Sequence, residues 1–407
     1  MHKNIIKYLL IAALIFAFSC FSLKTYALEN YEWNIGSELS SSYENTLTIR
    51  KPSNELNLEC GSAILIDQQS GQVLYDHNSH EQLRPASVTK IMSILLIMEA
   101  IDSGKISLTD KVPCSEKACS MGGSQVWLTT SEVFTVNDML KCICVVSAND
   151  CTVAMAEYLY GSTDAFVERM NERAKELGMN DTCFKNCHGI DEDGHVSSAY
   201  DIALMSRELL INHPSITKYT TIWMDSIRDG KSELVNTNKL VRNYEGCTGL
   251  KTGSTSLALY NLSASATRNN LSLIAVIMKA PTTAKRFSEA KQLLDYGFNN
   301  YSSLNLAKKD EVVKIVSVEK GIDKSINGVF ANDKFCMIPK GNDLKVTQVM
   351  NVPDSIEAPV SKNQKIGEIQ YFYDNELLST VDIVSDKDVE KNSLANMIKK
   401  WFGFFKI

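Results

Sequence analysis

Between residues 87 and 100 the chain is apolar on every face: Val88, Ile91, Met92, Ile94, Leu95, Leu96, Ile97 and Met98 leave no polar stripe. A helix of this kind cannot lie on a surface and must be wrapped by other elements in the centre of a domain. Its surroundings can be read in outline. Residues 63–66 and 73–75 flank Asp67-Gln68-Gln69-Ser70-Gly71, a hairpin pattern. Residues 136–159 and 163–177 read as helices. Residues 257–266 and 271–278, joined by Thr267-Arg268-Asn269-Asn270, read as a second hairpin. The order strand pair, helices, strand pair implies an α+β domain whose sheet combines both ends of the segment.

From about residue 309 the pattern changes to short β-rich runs at 312–316, 335–338, 344–350, 365–371 and 377–384, separated by turn residues. That predicts a small all-β domain over 309–385, after a first domain over 58–305. Residues 28–57 are polar, with Ser40-Ser41-Ser42, and read as a linker or arm. A hydrophobic content of 44% with 22% charged residues is that of a globular chain and excludes bulk disorder. The net charge of −6 gives no electrostatic reason to expect nucleic acid. An apolar run of membrane-spanning length is absent outside the N-terminus, so a polytopic membrane protein is excluded.

The two ends carry their own signals. Lys3 and Lys7 precede an apolar stretch at 8–18, and Thr25-Tyr26-Ala27 places small residues at the −3 and −1 positions of a cleavage site. This is the layout of a signal peptide over 1–27 and predicts export; the alternative is an uncleaved anchor helix. A lipoprotein reading through Cys20 meets a poor lipobox in Ala17-Phe18-Ser19. At the other end, Leu394, Met397, Ile398, Trp401, Phe402, Phe404 and Phe405 fall on one helical arc, opposite Lys399, Lys400 and Lys406. An amphipathic helix over 389–407 with lysines facing bulky aromatics suits a membrane interface; the alternative is a helix docked on its own domain.

Eleven cysteines show no dense disulfide framework, and Cys142-x-Cys144 and Cys183-x3-Cys187-His188 lack a second matching pair for zinc. None of the six histidines has the H-E-x-x-H spacing of a zinc hydrolase.

The chemistry lies at the start of the apolar helix, in Ser87-Val88-Thr89-Lys90. Positions i and i+3 share a helix face, so the hydroxyl and the amine can meet. A serine needs a base to become a nucleophile, and a lysine serves as that base when burial lowers its pKa. Ser215-Ile216-Thr217-Lys218 and Ser317-Val318-Glu319-Lys320 have the same spacing, so the first copy is distinguished by its company. Ser147-Ala148-Asn149 ends the apolar run 142–146; Ser-x-Asn also recurs at Ser303 and Ser325. Lys251-Thr252-Gly253 occurs once, on a segment opening the second hairpin, where glycine allows close backbone approach to a ligand.

These three elements in this order form the signature of active-site-serine penicillin-recognising enzymes. The chain resembles the serine-type D-alanyl-D-alanine carboxypeptidases, the low-molecular-mass penicillin-binding proteins of the β-lactamase/transpeptidase-like superfamily. Arg84-Pro85-Ala86 before Ser87, Met121-Gly122-Gly123-Ser124, and Asp191-Glu192-Asp193-Gly194-His195 with Ser197-Ser198-Ala199-Tyr200-Asp201 extend the resemblance, which spans residues 59–407. It implies an antiparallel sheet flanked by helices, then the all-β domain and the membrane-binding tail. Ser87 would be the nucleophile, Lys90 its base, and Ser147 the relay of a proton to the leaving D-alanine. Asn149 would hold the substrate amide, and Lys251 and Thr252 the terminal carboxylate, with Arg286 as a carboxylate-binding arginine. Backbone N–H groups of Ser87 and Ser254, beyond Gly253, would form the oxyanion hole. The implied partners are peptidoglycan stem peptides, β-lactams and the outer face of the cytoplasmic membrane, with neither metal nor organic cofactor.

Two positions depart from the family pattern: Ser254, where relatives often carry His or an aromatic residue, and Leu259, where relatives usually have Gly before Tyr260. The resemblance places His195 in a structural loop, a role that outweighs that of a general base. A β-lactamase would use the same serine and lysine with a water-holding glutamate, faintly echoed by Glu208-Leu209-Leu210-Ile211-Asn212, although that run has the period of a helix surface. A peptidoglycan-binding scaffold without activity, or an endopeptidase cutting cross-links, would carry the same three motifs.

Overall fold

A computed structural model describes residues 56–392. The expected signal peptide, the expected linker up to residue 55 and the expected tail helix beyond residue 392 lie outside the described residues.

The first domain is built on an antiparallel five-stranded sheet. Its strands are β1 (Ser62–Asp67), β2 (Val73–His77), β7 (Cys247–Thr255), β8 (Leu259–Arg268) and β9 (Leu271–Ala280), in the order β2-β1-β9-β8-β7. Two small hairpins intervene in the chain: β3 (Lys111–Pro113) with β4 (Val133–Thr135), and β5 (Met224–Ile227) with β6 (Ser232–Val235). Because β1 pairs with β9, the two ends of the domain meet in one sheet, as the hairpin–helix–hairpin order predicts. β8 and β9 are buried along most of their length on both faces, which explains their nearly continuous small and β-branched residues.

Helix α1 (Lys90–Asp102) is buried over Lys90 to Met98 and is enclosed by α2 (Val136–Val145), α3 (Asn149–Tyr160), α4 (Thr163–Glu176), α5 (Ala199–Asn212) and the edge strand β7. Enclosure on all sides is the cause of its all-apolar composition. α5 also packs on β1, β8 and β9, and α6 (Thr283–Asn300) packs on the same three strands. Gly297 of α6 allows this close packing: a Cβ would lie 2.4 Å from Leu273 Cδ1 and 3.0 Å from Leu65 Cδ2, so those side chains would have to shift.

The single helix expected over 136–159 is two helices. α2 ends in a turn at Ser147, whose φ of 65° is left-handed, and α3 restarts at Asn149. The apolar period runs through the break, so the pattern conceals it. The break places Ser147 and Asn149 at the head of α3 instead of along a helix flank.

Beyond α6 the described residues form β-strands, with one 3₁₀ turn at Asp343–Lys345. β10 (Tyr301–Ala307) pairs with β13 (Lys334–Pro339). A six-stranded sheet has the order β14 (Val346–Asn351), β16 (Lys365–Tyr373), β17 (Glu376–Ser385), β12 (Ser325–Phe330), β11 (Val312–Glu319) and β15 (Ser355–Glu357). Val316, Ile326, Ile369 and Ile383 form the centre of its own core. Among the described residues no helix is long and apolar enough to cross a membrane.

Candidate active site

The nucleophile turn is a one-turn 3₁₀ helix, Ala86–Thr89, that runs directly into α1. Ala86, Val88 and Thr89 are buried while Ser87 is half-buried, so the turn offers one side chain to the cleft. Two glycines make this possible. A Cβ on Gly189 would lie 1.9 Å from Ala86 O, and one on Gly253 would lie 2.8 Å from Pro85 O and 2.9 Å from Ser87 N. The backbone of β7 therefore packs directly against the Ser87 amide.

Lys90 is fully buried, and its Nζ lies 3.0 Å from Ser87 Oγ, 2.6 Å from Asn149 Oδ1 and 2.7 Å from the carbonyl oxygen of His188. Burial, with Lys251 nearby, holds its pKa well below the usual 10.5. Asn149 donates from Nδ2 to Gly122 O at 2.7 Å, which fixes its amide orientation and leaves Oδ1 facing the lysine. Ser147 is 3% exposed, and its hydroxyl is buried without a hydrogen-bond partner. A buried orphan hydroxyl costs about 1–3 kcal/mol, so it calls for an explanation beyond packing.

β7 supplies the opposite wall. Lys251 is buried, donates to Thr252 O at 2.9 Å, and has its pKa pushed down to about 7, chiefly by burial. Thr252 donates to Thr237 Oγ1 at 2.7 Å. Ser254, just beyond Gly253, is exposed. Arg286, on α6, donates from Nη1 to Gly253 O at 3.2 Å and Asn261 O at 3.3 Å; its Nε is buried without a partner. Burial lowers its pKa to about 10, and its guanidinium lies 4.7 Å from the Phe287 ring centroid.

The predicted residues thus fall into one hydrogen-bonded cluster, Ser87–Lys90–Asn149, faced by the buried stretch Lys251–Thr252–Gly253, with Arg286 tied to the back of that strand. Several contributors escaped the sequence reading. The His188 carbonyl and Gly189 are backbone features. Asn261 donates from Nδ2 to Arg84 O (2.8 Å) and accepts from Lys279 N (2.7 Å), which ties β8 and β9 to the nucleophile turn. An Asn within a strand is a signal that strand propensity makes visible. Thr237 and the buried Asp150, which accepts from Val126 N and Leu128 N, also belong to the surround.

The remaining candidates lie elsewhere. His195 is buried; its Nδ1 accepts from Lys185 N (2.9 Å), so Nε2 carries the proton and donates to Thr89 Oγ1 (2.8 Å), a structural bridge. Glu208 pairs with Arg173, which also holds Glu99. Leu259 has a φ of 55°, keeping in leucine a backbone conformation natural to glycine. The ten cysteines among the described residues are free thiols, and no group of three or more His, Cys, Asp or Glu there is arranged to hold a metal.

Comparisons with known proteins agree with this architecture. Residues 48–282 match the model of the D-alanyl-D-alanine carboxypeptidase peptidase family, and residues 301–391 match the C-terminal domain of penicillin-binding protein 5. The chain is 44% identical to the D-alanyl-D-alanine carboxypeptidase DacF of Bacillus subtilis over 357 residues, covering 87% of this chain and 92% of that one. It is 34% identical to DacA of Escherichia coli over 367 residues, 85% of this chain and 89% of that one. Penicillin-binding protein 5 of Haemophilus influenzae superposes with a TM-score of 0.68 at 31% identity, over 84% of this chain and 100% of that one. Penicillin-binding protein D2 of Listeria monocytogenes in its ampicillin-bound form gives 0.56 at 30% identity, over 60% of this chain and 100% of that one. The chain belongs to the D-alanyl-D-alanine carboxypeptidase family of serine-type hydrolases.

Proposed function

We propose that this chain removes the terminal D-alanine from peptidoglycan pentapeptides through an acyl-enzyme on Ser87, and that β-lactams acylate the same oxygen. The observation that carries the reading is the environment of Lys90. A neutral amine has two N–H groups and one lone pair. The oxygens of Asn149 and His188 take the two hydrogens, and the lone pair is left for the Ser87 hydroxyl 3.0 Å away.

Ser87 Oγ bonds to the carbonyl carbon of the penultimate D-alanine while Lys90 takes its proton. The carbonyl oxygen becomes an oxyanion held by the N–H groups of Ser87 and Ser254. Collapse breaks the C–N bond, and the proton passes from Lys90 through Ser147 to the departing amine. A relay that meets its partners when substrate arrives explains an orphan hydroxyl at rest. Water then attacks the ester, Lys90 takes its proton, and Ser87 leaves protonated. The second Nδ2 hydrogen of Asn149 serves the substrate amide. Lys251 and Thr252 receive the terminal carboxylate; its arrival raises the Lys251 pKa from about 7 and restores the ammonium charge. Arg286 adds positive charge behind Gly253.

D-Alanine release from diacetyl-L-Lys-D-Ala-D-Ala tests this, with Ser87→Ala beside it. Release that penicillin blocks and the variant lacks is the expected result. A stable penicillin adduct without release points to the scaffold reading, and rapid penicillin turnover to a β-lactamase. Export through residues 1–27 and an interfacial helix over 389–407 complete the proposal, on the sequence pattern alone. Deletion of residues 394–407 is expected to release the protein from sedimented membranes. Continued pelleting of the truncated chain would refute the anchor.

A further inference from the structure

Trp127 is 73% exposed, more than any other large apolar side chain among the described residues. Its backbone is left-handed, with φ 54°, a genuine outlier for a bulky residue. Strain of this kind persists where the surroundings over-determine it, and it gathers at functional sites. Here the surroundings are explicit. Val126 and Leu128 on either side are buried in the core, and both of their N–H groups donate to Asp150 Oδ2, at 3.0 and 3.2 Å. The Trp127 carbonyl accepts from Arg228 Nη2 at 3.2 Å, while Arg228 Nη1 holds Val126 O at 2.9 Å and the guanidinium pairs with Glu132. Two inward neighbours turn the ring outward.

The same segment belongs to the active site. Gly122 O and Ser124 O accept from Asn149 Nδ2 and Asn149 N, each at 2.7 Å. Asn149 and Ser87 share Lys90 Nζ at 2.6 and 3.0 Å. The Trp127 Cα lies three residues beyond Ser124, so at most about 11 Å from it. An exposed aromatic on a fastened backbone therefore stands in water at the end of a wall that starts beside the nucleophile and is held by Asn149 and Asp150.

We propose that Trp127 is a glycan platform: its ring stacks on the pyranose face of the disaccharide that carries the stem peptide. The proposal rests on the D-alanyl-D-alanine carboxypeptidase reading of the site. Four extended residues separate the scissile carbonyl from the sugar, a span of about 13 Å, and the separation of Ser124 from Trp127, at most about 11 Å, does not exceed it. The peptide end offers the ring small methyl groups, whereas a pyranose offers a flat CH face bordered by hydroxyls, matching an apolar ring with one N–H donor. Binding energy gained far from the reacting bond can then be spent at Ser87.

The test compares kcat/KM of the full chain on an N-acetylglucosaminyl-N-acetylmuramyl pentapeptide and on the same pentapeptide without sugars. The wild-type ratio is expected to be about tenfold or more in favour of the disaccharide substrate, carried by KM. Trp127→Gly keeps the left-handed backbone without steric cost and removes the ring, and it should bring the ratio near unity. Trp127→Phe should retain most of the preference. Penicillin acylation of each variant monitors the integrity of the site. A wild-type ratio near unity overturns the platform alone, as does an unchanged ratio in Trp127→Gly with acylation intact; in the latter case the ring serves some other partner. Absence of release from both substrates removes the carboxypeptidase reading, and the platform with it.

Discussion

Gly253→Ala tests whether the Ser87 turn and the edge strand β7 act as one catalytic unit. The added methyl would lie 2.8 Å from Pro85 O and 2.9 Å from the amide nitrogens of Ser87 and Val88. All three are backbone atoms, and none can rotate away. Ordinary contact starts at 3.4 Å, so strand and turn must separate by about half an ångström. Gly189, whose own Cβ would meet Ala86 O at 1.9 Å, limits how the turn can yield. Overpacking of this size costs about 1–3 kcal/mol, or a melting temperature lower by about 2–10 °C. The catalytic cost is comparable. A misplacement of about 1 Å loses about a hundredfold in rate, so a shift of half that predicts about tenfold at least. The shift would also move Ser254 N relative to Ser87 N and spoil the oxyanion hole. The assay is the second-order rate constant for acylation by a fluorescent penicillin, beside a thermal melt. Acylation at the wild-type rate with an unchanged melting temperature would refute both the packing and the oxyanion-hole argument.

Three further substitutions separate structure from chemistry. Lys251→Met removes a buried amine whose pKa is depressed from 10.5 to about 7. Between those values the unfolded chain binds more protons than the native one, so wild-type stability rises with pH across that window and is penalised below it. The variant should melt higher than wild type near pH 6, with the difference shrinking toward pH 10, while acylation falls by about a hundredfold or more. His195→Asn breaks the bridge between Lys185 N and Thr89 and should cost about 2 kcal/mol without abolishing acylation. In wild type the His195 pKa is lowered from 6.5 to about 4, so its contribution is present above pH 6.5 and lost as pH falls toward 4; that slope should vanish from acid melts of the variant. Asn261→Ala leaves Arg84 O and Lys279 N without their partner and should cost about 2–3 kcal/mol with slower acylation, as a melt and the penicillin assay would read.

What the sequence disclosed and what it concealed differ in physical kind. Side chains whose chemistry is rare in their setting were legible. A lysine opening an apolar helix, a Ser-x-Asn ending an apolar run and a Lys-Thr-Gly on a strand each place polar groups where burial would otherwise exclude them. The enclosing of α1 was legible for the same reason, since an apolar surface all round has one solution. The break at Ser147 was not, because periodicity reports which residues are buried and both helices bury theirs. In the β-rich part, β11, β13, β14, β16 and β17 followed from their apolar runs. β12 carries a glycine and an asparagine, and β15 has three residues, so both depend on neighbours already in place. Backbone contributions were hidden most deeply. The His188 carbonyl beside Lys90, the Gly122 carbonyl on Asn149 and the approach of β7 to the Ser87 amide have no side chain to announce them. Lys90 needs two acceptors besides Ser87 to be left with a free lone pair, and the sequence motifs supply one, Asn149. The other comes from a loop 98 residues away, so the fold, and not the motif, completes the base.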